Sequence, residues 1–428
     1  MNVNYFNLYI MKRLYFIFCR NCKLNSPIIC LLIVISLSSC SNLEKNIPTE
    51  EEELLSFDVS TLDNKEYEIK LSDLMESVEI VQLDNYTEEA FGRTWDVEIS
   101  DNYIATGNVA ESVKLYHRKS GKYIGDVGKR GQGPGEYTNI WDITINEEDK
   151  RIYLWPNMRD YIYSYDMNGK FIEEETIPLP KGYGTRGTMY PDRETNELVV
   201  LGTPYGYYQR GNITHEGKKV ACWVQDFQGN LKFSIPADNY TIPHGSSHSW
   251  ASHPNRESSI YSYTLRTIKS EMRRDTVYHY HSKNNLLYPV YTTNYPHEDN
   301  FVIASLESPL HYYTVHATYK KRRSTNPENL EGYKVLQVDK KSHAGKYIRV
   351  VNDCLGDIPV VLYDFLFSVK NEYATIIYDS LDLKEQLEEA LETNTDMSEE
   401  VRKRVVKMNS ILTEDSNDVL VICKFKKQ

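Results

Sequence analysis

Short stretches in which apolar and polar residues alternate recur along the body of this chain. Tyr161-Ile162-Tyr163-Ser164-Tyr165 and Val277-Tyr278-His279-Tyr280 are two of them. A period of two places alternate side chains on opposite faces, so each stretch predicts a half-buried strand. A turn signal follows. Gly121-Lys122-Tyr123-Ile124 recurs unchanged at Gly345-Lys346-Tyr347-Ile348 and as Gly169-Lys170-Phe171-Ile172. Gly229-Asn230-Leu231 is a looser copy and Asn284-Asn285-Leu286 a degenerate one. Strand, tight turn through Gly or Asn, strand is a β-hairpin. A second marker, Trp95-Asp96-Val97-Glu98-Ile99, reappears as Trp141-Asp142-Ile143-Thr144-Ile145. Between marker and hairpin lies another strand candidate, Tyr103 to Gly107 in one unit and Ile152 to Trp155 in the next. Each unit therefore has four strands, a to d. Four short strands in a repeat of about 40–50 residues predict the blades of a β-propeller.

The hairpins mark five units. A sixth draws on both ends of the chain: Val360 to Val369, Tyr373 to Tyr378 and Val419 to Cys423, with Val78 to Leu83 as the fourth strand. Pairing the two ends in one blade closes the ring and leaves no open half-blade. The expected fold is all-β, a six-bladed propeller of four-stranded antiparallel blades over residues 67–428, with seven blades as the rival count. The last blade carries a small helical insertion at 380–412, where Leu383 to Leu391 and Val401 to Leu412 change to helical spacing. Asp396 with Glu399 reads as a capping pair at the second helix.

Several segments resemble the six-bladed propeller lipoproteins abundant in Bacteroides-type bacteria, relatives of NHL-repeat propellers. They are Leu71-Ser72-Asp73, the loop Gly128-Lys129-Arg130-Gly131-Gln132-Gly133-Pro134-Gly135-Glu136-Tyr137, Asp275-Thr276-Val277-Tyr278, and Asp418-Val419-Leu420-Val421 running to Phe425. The resemblance spans roughly residues 66–428 and departs at Cys354-Leu355-Gly356, which lacks turn and strand markers. It implies the same fold and carries no defined biochemistry.

The first residues read as an address. Arg20 and Lys23 precede an apolar run from Ile28 to Leu37, too short to span a bilayer, which needs roughly 20 residues. Leu37-Ser38-Ser39-Cys40 then matches a lipobox, so residues 1–39 are a lipoprotein signal peptide, Cys40 is the acylated residue, and translation starts at Met1 or Met11. Residues 40–66, with the run Glu50 to Glu53, form an acidic tether. The expected location is the outer membrane, on its periplasmic or outer side, held by the N-terminal acyl chains. Of the seven cysteines only Cys222, Cys354 and Cys423 lie in the body, which supports neither a disulfide framework nor a zinc pattern. A net charge of −12 argues against a sequence-independent nucleic-acid binder, whose affinity comes from neutralising phosphates.

In a four-stranded blade the b–c loops and the d-to-a connections leave on one face. The long segments 128–140, 203–219, 236–258, 318–332 and 379–417 all sort to that face, and long loops on a rigid scaffold are usual carriers of binding. Candidate ligand contacts there are Trp95, Arg130, Gln132, Glu136, Tyr137, Trp141, Tyr207 and Trp250. Rings beside charged and amide groups suit a sugar, while the same tyrosines also serve as strand and packing residues. His244, His248 and His253 share one loop and are weak metal candidates without a recognisable spacing. No nucleophile elbow, zincin helix or Walker loop occurs, and Gly131-x-Gly133-x-Gly135 lacks the strand–helix setting of a dinucleotide site, so no cofactor is expected. These features favour a non-catalytic, lipid-anchored module that binds a glycan, a peptide or an envelope protein. The alternative is a glycosidase or lyase, metal-dependent or not, working at the channel mouth through Asp96, Asp142 or Glu136. A third reading is a structural subunit of an envelope complex, docked through the helical insert.

Overall fold

The computed structural model describes residues 53–427 apart from 86–95, 109–110, 184–185, 205–206, 211–212, 217–219, 241–247, 256–257, 267–274, 296–300 and 320–329. Cys40, Trp95 and His244, together with residues 1–39 that were expected to be a signal peptide, therefore lie outside the described residues. Two strands, β1 (Leu55–Phe57) and β2 (Glu66–Lys70), lead through a helical turn, α1 (Leu71–Leu74), into β3 (Met75–Gln82). Blade 1 is β4 (Asp96–Ile99), β5 (Tyr103–Gly107), β6 (Val113–His117) and β7 (Tyr123–Val127). The short pair β8 (Lys129–Arg130) and β9 (Glu136–Tyr137) leads to blade 2: β10 (Ile140–Asn146), β11 (Arg151–Pro156), β12 (Tyr161–Tyr165) and β13 (Ile177–Pro178). Blade 3 is β14 (Gly187–Asp192), β15 (Glu197–Gly202), β18 (Val220–Gln225) and β19 (Leu231–Pro236); the hairpin β16 (Tyr207–Arg210) and β17 (Ile213–Glu216) is inserted between its second and third strands. Blade 4 is β20 (His248–Ser252), β21 (Ile260–Arg266), β22 (Val277–His281) and β23 (Leu286–Thr293). Blade 5 is β24 (Phe301–Glu307), β25 (His311–Tyr319), β26 (Leu330–Asp339) and β27 (Gly345–Asn352), with β28 (Ile358–Pro359) paired to β27.

The closing blade joins the two ends of the chain. β29 (Tyr373–Tyr378) pairs β30 (Val419–Phe425), and β30 pairs the N-terminal β3, so the ring is a six-bladed propeller closed as the sequence predicts. The stretch Val360 to Val369, expected as a strand, is instead a short helix, α2 (Leu362–Phe367). Leu362, Phe365, Leu366 and Val369 are all buried, and that spacing lines one face of a helix. The innermost place in this blade is left to Lys370, which bridges to Tyr373, and to the Ser368 hydroxyl, which donates to the Thr375 carbonyl and accepts from its N–H.

All five repeat turns fall between a third and a fourth strand. Gly121, Gly169 and Gly229 sit there at φ 68°, 75° and 84°, and Asn285 replaces them at 51°. Gly345 is identical to Gly121 in its sequence context but serves close packing instead, since a Cβ there would meet the Phe57 ring of β1 at 2.2 Å. The left-handed residue of that turn is His343, at φ 58°.

One apolar cluster fills each of the six gaps between neighbouring blades. Tyrosines supply much of it. Tyr116, Tyr153, Tyr165, Tyr263, Tyr280, Tyr291 and Tyr313 are fully buried. Their hydroxyls reach across the gap, as when Tyr165 donates to the Gly135 carbonyl at 2.8 Å and Tyr263 to that of Gly202 at 2.6 Å. A ring buries a large apolar area and its hydroxyl satisfies a neighbouring carbonyl, which accounts for much of the tyrosine excess.

Two further details differ from expectation. The tether was expected to reach residue 66, yet β1 adds as a parallel outer strand to β23 and β2 to β27, strapping blades 4 and 5. In the insertion, α3 (Ser380–Thr393) and α4 (Glu399–Ile411) pack on the cluster between blades 5 and 6 through Leu383, Leu387, Ala390 and Val405. Asp379 caps α3 and Ser398 caps α4, so Asp396 is not the cap. The Ser398 hydroxyl sits one residue before the first turn and reaches the Val401 N–H, which Asp396 lies too far upstream to do.

Candidate functional site

Inner strands run from the long-loop face to the face that carries the a–b turns. Near the start of β4 and β10 the repeated marker places Asp96 and Asp142, and one step on from Asp96 along the same face lies Glu98. Lys370 enters between them from the closing blade. Its Nζ lies 2.9 Å from Asp142 Oδ1 and 3.0 Å from Glu98 Oε2, and it also donates to the Ile143 carbonyl. The other Asp142 oxygen accepts from the Met189 N–H of blade 3 at 2.9 Å. Glu98 and Asp142 are buried. Burial alone would lower the Lys370 amine, but Asp142 first, then Glu98 and Asp96, outweigh it and hold the ammonium well above the ordinary lysine value. The Asp96 carboxyl is pushed up to about 7 by burial, against the pull of Lys370 and with Asp142 and Glu98 adding to the rise. A cation shared among carboxylates in a low-dielectric centre ties blades 1, 2 and 6 together; removing one partner of such a pair costs ~3–5 kcal/mol.

Beyond this cluster a cavity of about 480 Å³ opens on the turn face. Glu98 and Tyr190 lie at its inner end, and its wall is built from the turns after β4, β10, β14 and β20. Among the described residues, six carboxylates line it (Glu98, Asp101, Glu147, Glu148, Asp192 and Glu197) with the ammonium of Lys283. Asn102 holds Glu147 through its backbone and side-chain nitrogens, both at 2.7 Å. One side is aromatic: His253 stacks on Tyr261 with centroids 4.4 Å apart, and Tyr190 lies 4.7 Å from Tyr261. The buried Tyr190 hydroxyl has no hydrogen-bond partner among the described residues, and burial pushes its pKa well above the usual phenol value.

The sequence-chosen contacts divide. Tyr137 is buried, donating to the Val127 carbonyl at 2.6 Å and accepting from the Val113 N–H at 2.8 Å. It therefore fastens the loop to blade 1 and presents nothing to solvent. Glu136 accepts from the Gly133 N–H at 2.8 Å and fills the space over Gly131, so it clips its own loop. Trp141 lies under the Arg186 guanidinium at 4.5 Å. Arg130 and Gln132 are exposed on the long-loop face, and Arg130 Nε donates to the Thr138 carbonyl. Trp250, expected in a loop, stands in β20 against the cluster between blades 5 and 6. Tyr207 and His248 belong to β16 and β20, and their side chains lie outside what the structure describes.

Because His248–Ser252 is a strand, the expected loop 236–258 is divided. His253 follows that strand, in the turn to β21, with Nε2 2.8 Å from the Ser258 carbonyl. Among the described residues no group of three His, Cys, Asp or Glu side chains has metal-binding geometry. Sequence reasoning missed Lys370, Glu98 and Tyr190. Glu98 was inside the repeated marker, where Thr144 replaces it in the second copy.

A comparison with curated proteins found no match. Among solved structures the chain is similar to an exported protein of Bacteroides fragilis, at 12% identity and TM-score 0.53, covering 87% of this chain and 100% of that one. It is also similar to a member of the DUF4221 family from Bacteroides vulgatus, at 11% identity and TM-score 0.42, covering 82% and 97%. The first likeness speaks to the fold alone. The family model described as "Domain of unknown function (DUF4934)" matches residues 54–424, and the chain belongs to that family.

Proposed function

We propose that the protein is an exported, lipid-anchored propeller that binds a neutral or amine-bearing saccharide in the turn-face cavity without turning it over. The observation that carries this reading is the cavity wall, in which Tyr190, Tyr261 and His253 stand against a hydroxyl- and carboxylate-rich side. Its volume, about 480 Å³, falls in the range of small-molecule sites. Flat rings meet the C–H faces of a sugar, and Asn146 and Ser259 can meet its hydroxyls. With Glu98 paired to Lys370 and Glu197 to Lys232, four further carboxylates stand against Lys283 and repel an anionic sugar. Turnover by paired acids is disfavoured because Asp142 is engaged by Lys370 and Met189, and Glu136 by Gly133.

The test is a thermal-shift screen of the detergent-solubilised full chain against neutral, amino and sulfated oligosaccharides. A ligand specific to the folded state raises the melting temperature, by ~2.7 kcal/mol of stabilisation at 100 times its dissociation constant. Ser259→Trp narrows the cavity and should abolish the shift, whereas Gln132→Trp on the long-loop face should not. The reverse pattern would move the site to the long-loop face, and a response confined to sulfated sugars would sink the charge argument.

Export and anchoring rest on the apolar run and the Leu37-Ser38-Ser39-Cys40 sequence. The exported Bacteroides protein of similar fold is consistent with them. Cys40→Ala should move the protein from the membrane to the soluble fraction of the cell envelope; unchanged fractionation would refute acylation at that residue.

A further inference from the structure

The outer edges of the blades are not all alike. On blades 4 and 5 an extra parallel strand, β1 or β2, covers the outermost strand. On the closing blade the outermost strand is β3, which pairs only β30 among the described residues. Its other edge faces a groove of about 1190 Å³, walled by α4 on one side and by the β6–β7 turn on the other. The edge is pinned at its far end, where the Asp84 N–H donates to the Gly121 carbonyl at 2.9 Å.

Two properties of the groove define what fits it. Val78 and Ile80 of β3, with Met408 and Ile411 of α4, make an apolar lining, and Ile411 is 46% exposed. Lys119, Lys122 and Lys407 add exposed ammonium groups that form no salt bridge among the described residues. The acids nearby are fewer and partly spent: Glu76 pairs Lys424 at 3.3 Å, which leaves Asp84. A basic, apolar-floored groove beside an open strand edge is unusual on a chain of net charge −12.

We propose that β3 is a docking edge for an extended segment of a partner protein in which acidic and apolar residues alternate. The segment adds to β3 as the outer strand of the closing blade, as β1 and β2 do on blades 4 and 5. Main-chain hydrogen bonds supply affinity, and alternate side chains meet the lysines and the apolar lining. Uncovered strand edges are normally blunted by unpaired charge or by a cover. The one charge along Val78–Val81, Glu79, is paired with Arg118 at 2.6 Å, and no described strand covers that stretch. This site lies outside the cavity of the proposed saccharide, so either can fail alone.

The experiment uses the full chain in detergent and a fluorescent synthetic peptide alternating glutamate and valine. Binding should weaken with added salt, and Lys122→Glu with Lys407→Glu should weaken it by about tenfold or more. Both lysines are exposed, so the double variant keeps the fold, which its melting curve checks. Amide exchange should show new protection within Met75–Gln82 when the peptide binds. A peptide N-methylated at alternate residues should not bind, nor should one with lysine in place of glutamate. Absence of binding, binding indifferent to the charge reversal, or protection elsewhere would each overturn the proposal. So would a dimer, seen by sedimentation, that buries β3 and that the peptide does not disperse.

Discussion

At the residue scale, two carboxyl groups set opposite ends of the pH response. Asp96 is held at about 7 when folded, above the ordinary 3.8. Between those values the folded state keeps a proton the unfolded chain has released, so stability falls as pH rises through that window. Glu307 behaves in the other sense. Burial would raise it, but Lys340 and then His279 outweigh burial and hold it well below the ordinary 4.5. Both reach it directly, His279 Nε2 at 2.9 Å and Lys340 through a short ion pair. Its contribution is present above the unfolded value and is lost as pH falls below it. Melting temperatures measured from pH 3 to 8 should therefore show Asp96→Asn flattening the decline toward neutrality. Glu307→Gln should lose ~3–5 kcal/mol near neutral pH, with a shallower acid limb. An Asp96→Asn curve parallel to the wild type would show that this carboxyl does not titrate as argued. Asp96 and Asp142 were legible as inner-strand residues because they sit in a repeated marker. Lys370 was not, since it meets Asp142 from 228 positions away.

At the element scale, local chemistry was readable where it is carried by neighbours in the chain. The five turn signals mark the five c–d hairpins, because a left-handed residue and flanking alternation are properties of a few adjacent positions. The helical insert was readable from its spacing, but the cap of α4 was placed two residues early, at Asp396 instead of Ser398, and that of α3 was not read. Asp379 accepts from the Leu381 N–H at 2.9 Å and the Asp382 N–H at 3.2 Å. Asp379→Ala should cost ~1 kcal/mol and raise amide exchange in the first turn of α3 while the inner strands stay protected. Exchange unchanged at Leu381 and Asp382 would refute the cap. The stretch 360–369 misled because its apolar residues satisfy either period over so short a run, and packing of α2 against Tyr333 and the blade 5–6 cluster selects the helix. The straps β1 and β2 were invisible for a related reason: parallel edge strands need no turn signal, and Phe57 finds Gly345 from the far side of the sequence.

At the scale of the whole molecule, closure joins β3 to β30 and each blade gap holds one apolar cluster, so no blade stands as a separate folding unit. Repeat count, strand order and the meeting of the two ends followed from the sequence alone. They depend on local periodicity and on the rule that an open half-blade would leave strand edges and apolar faces unpaired. The sorting of long connections to one face held only in part, since β20 divides 236–258 and leaves 253–259 between the first and second strands of blade 4. Only the tertiary structure decided which side chains meet at the axis and where enclosed space lies. The Lys370 cluster, the Tyr190–Tyr261–His253 wall and the groove along the outer edge of β3 each combine residues from separate blades or opposite ends of the chain. Their geometry arises from the curvature and stagger of the ring, which no window of sequence encodes.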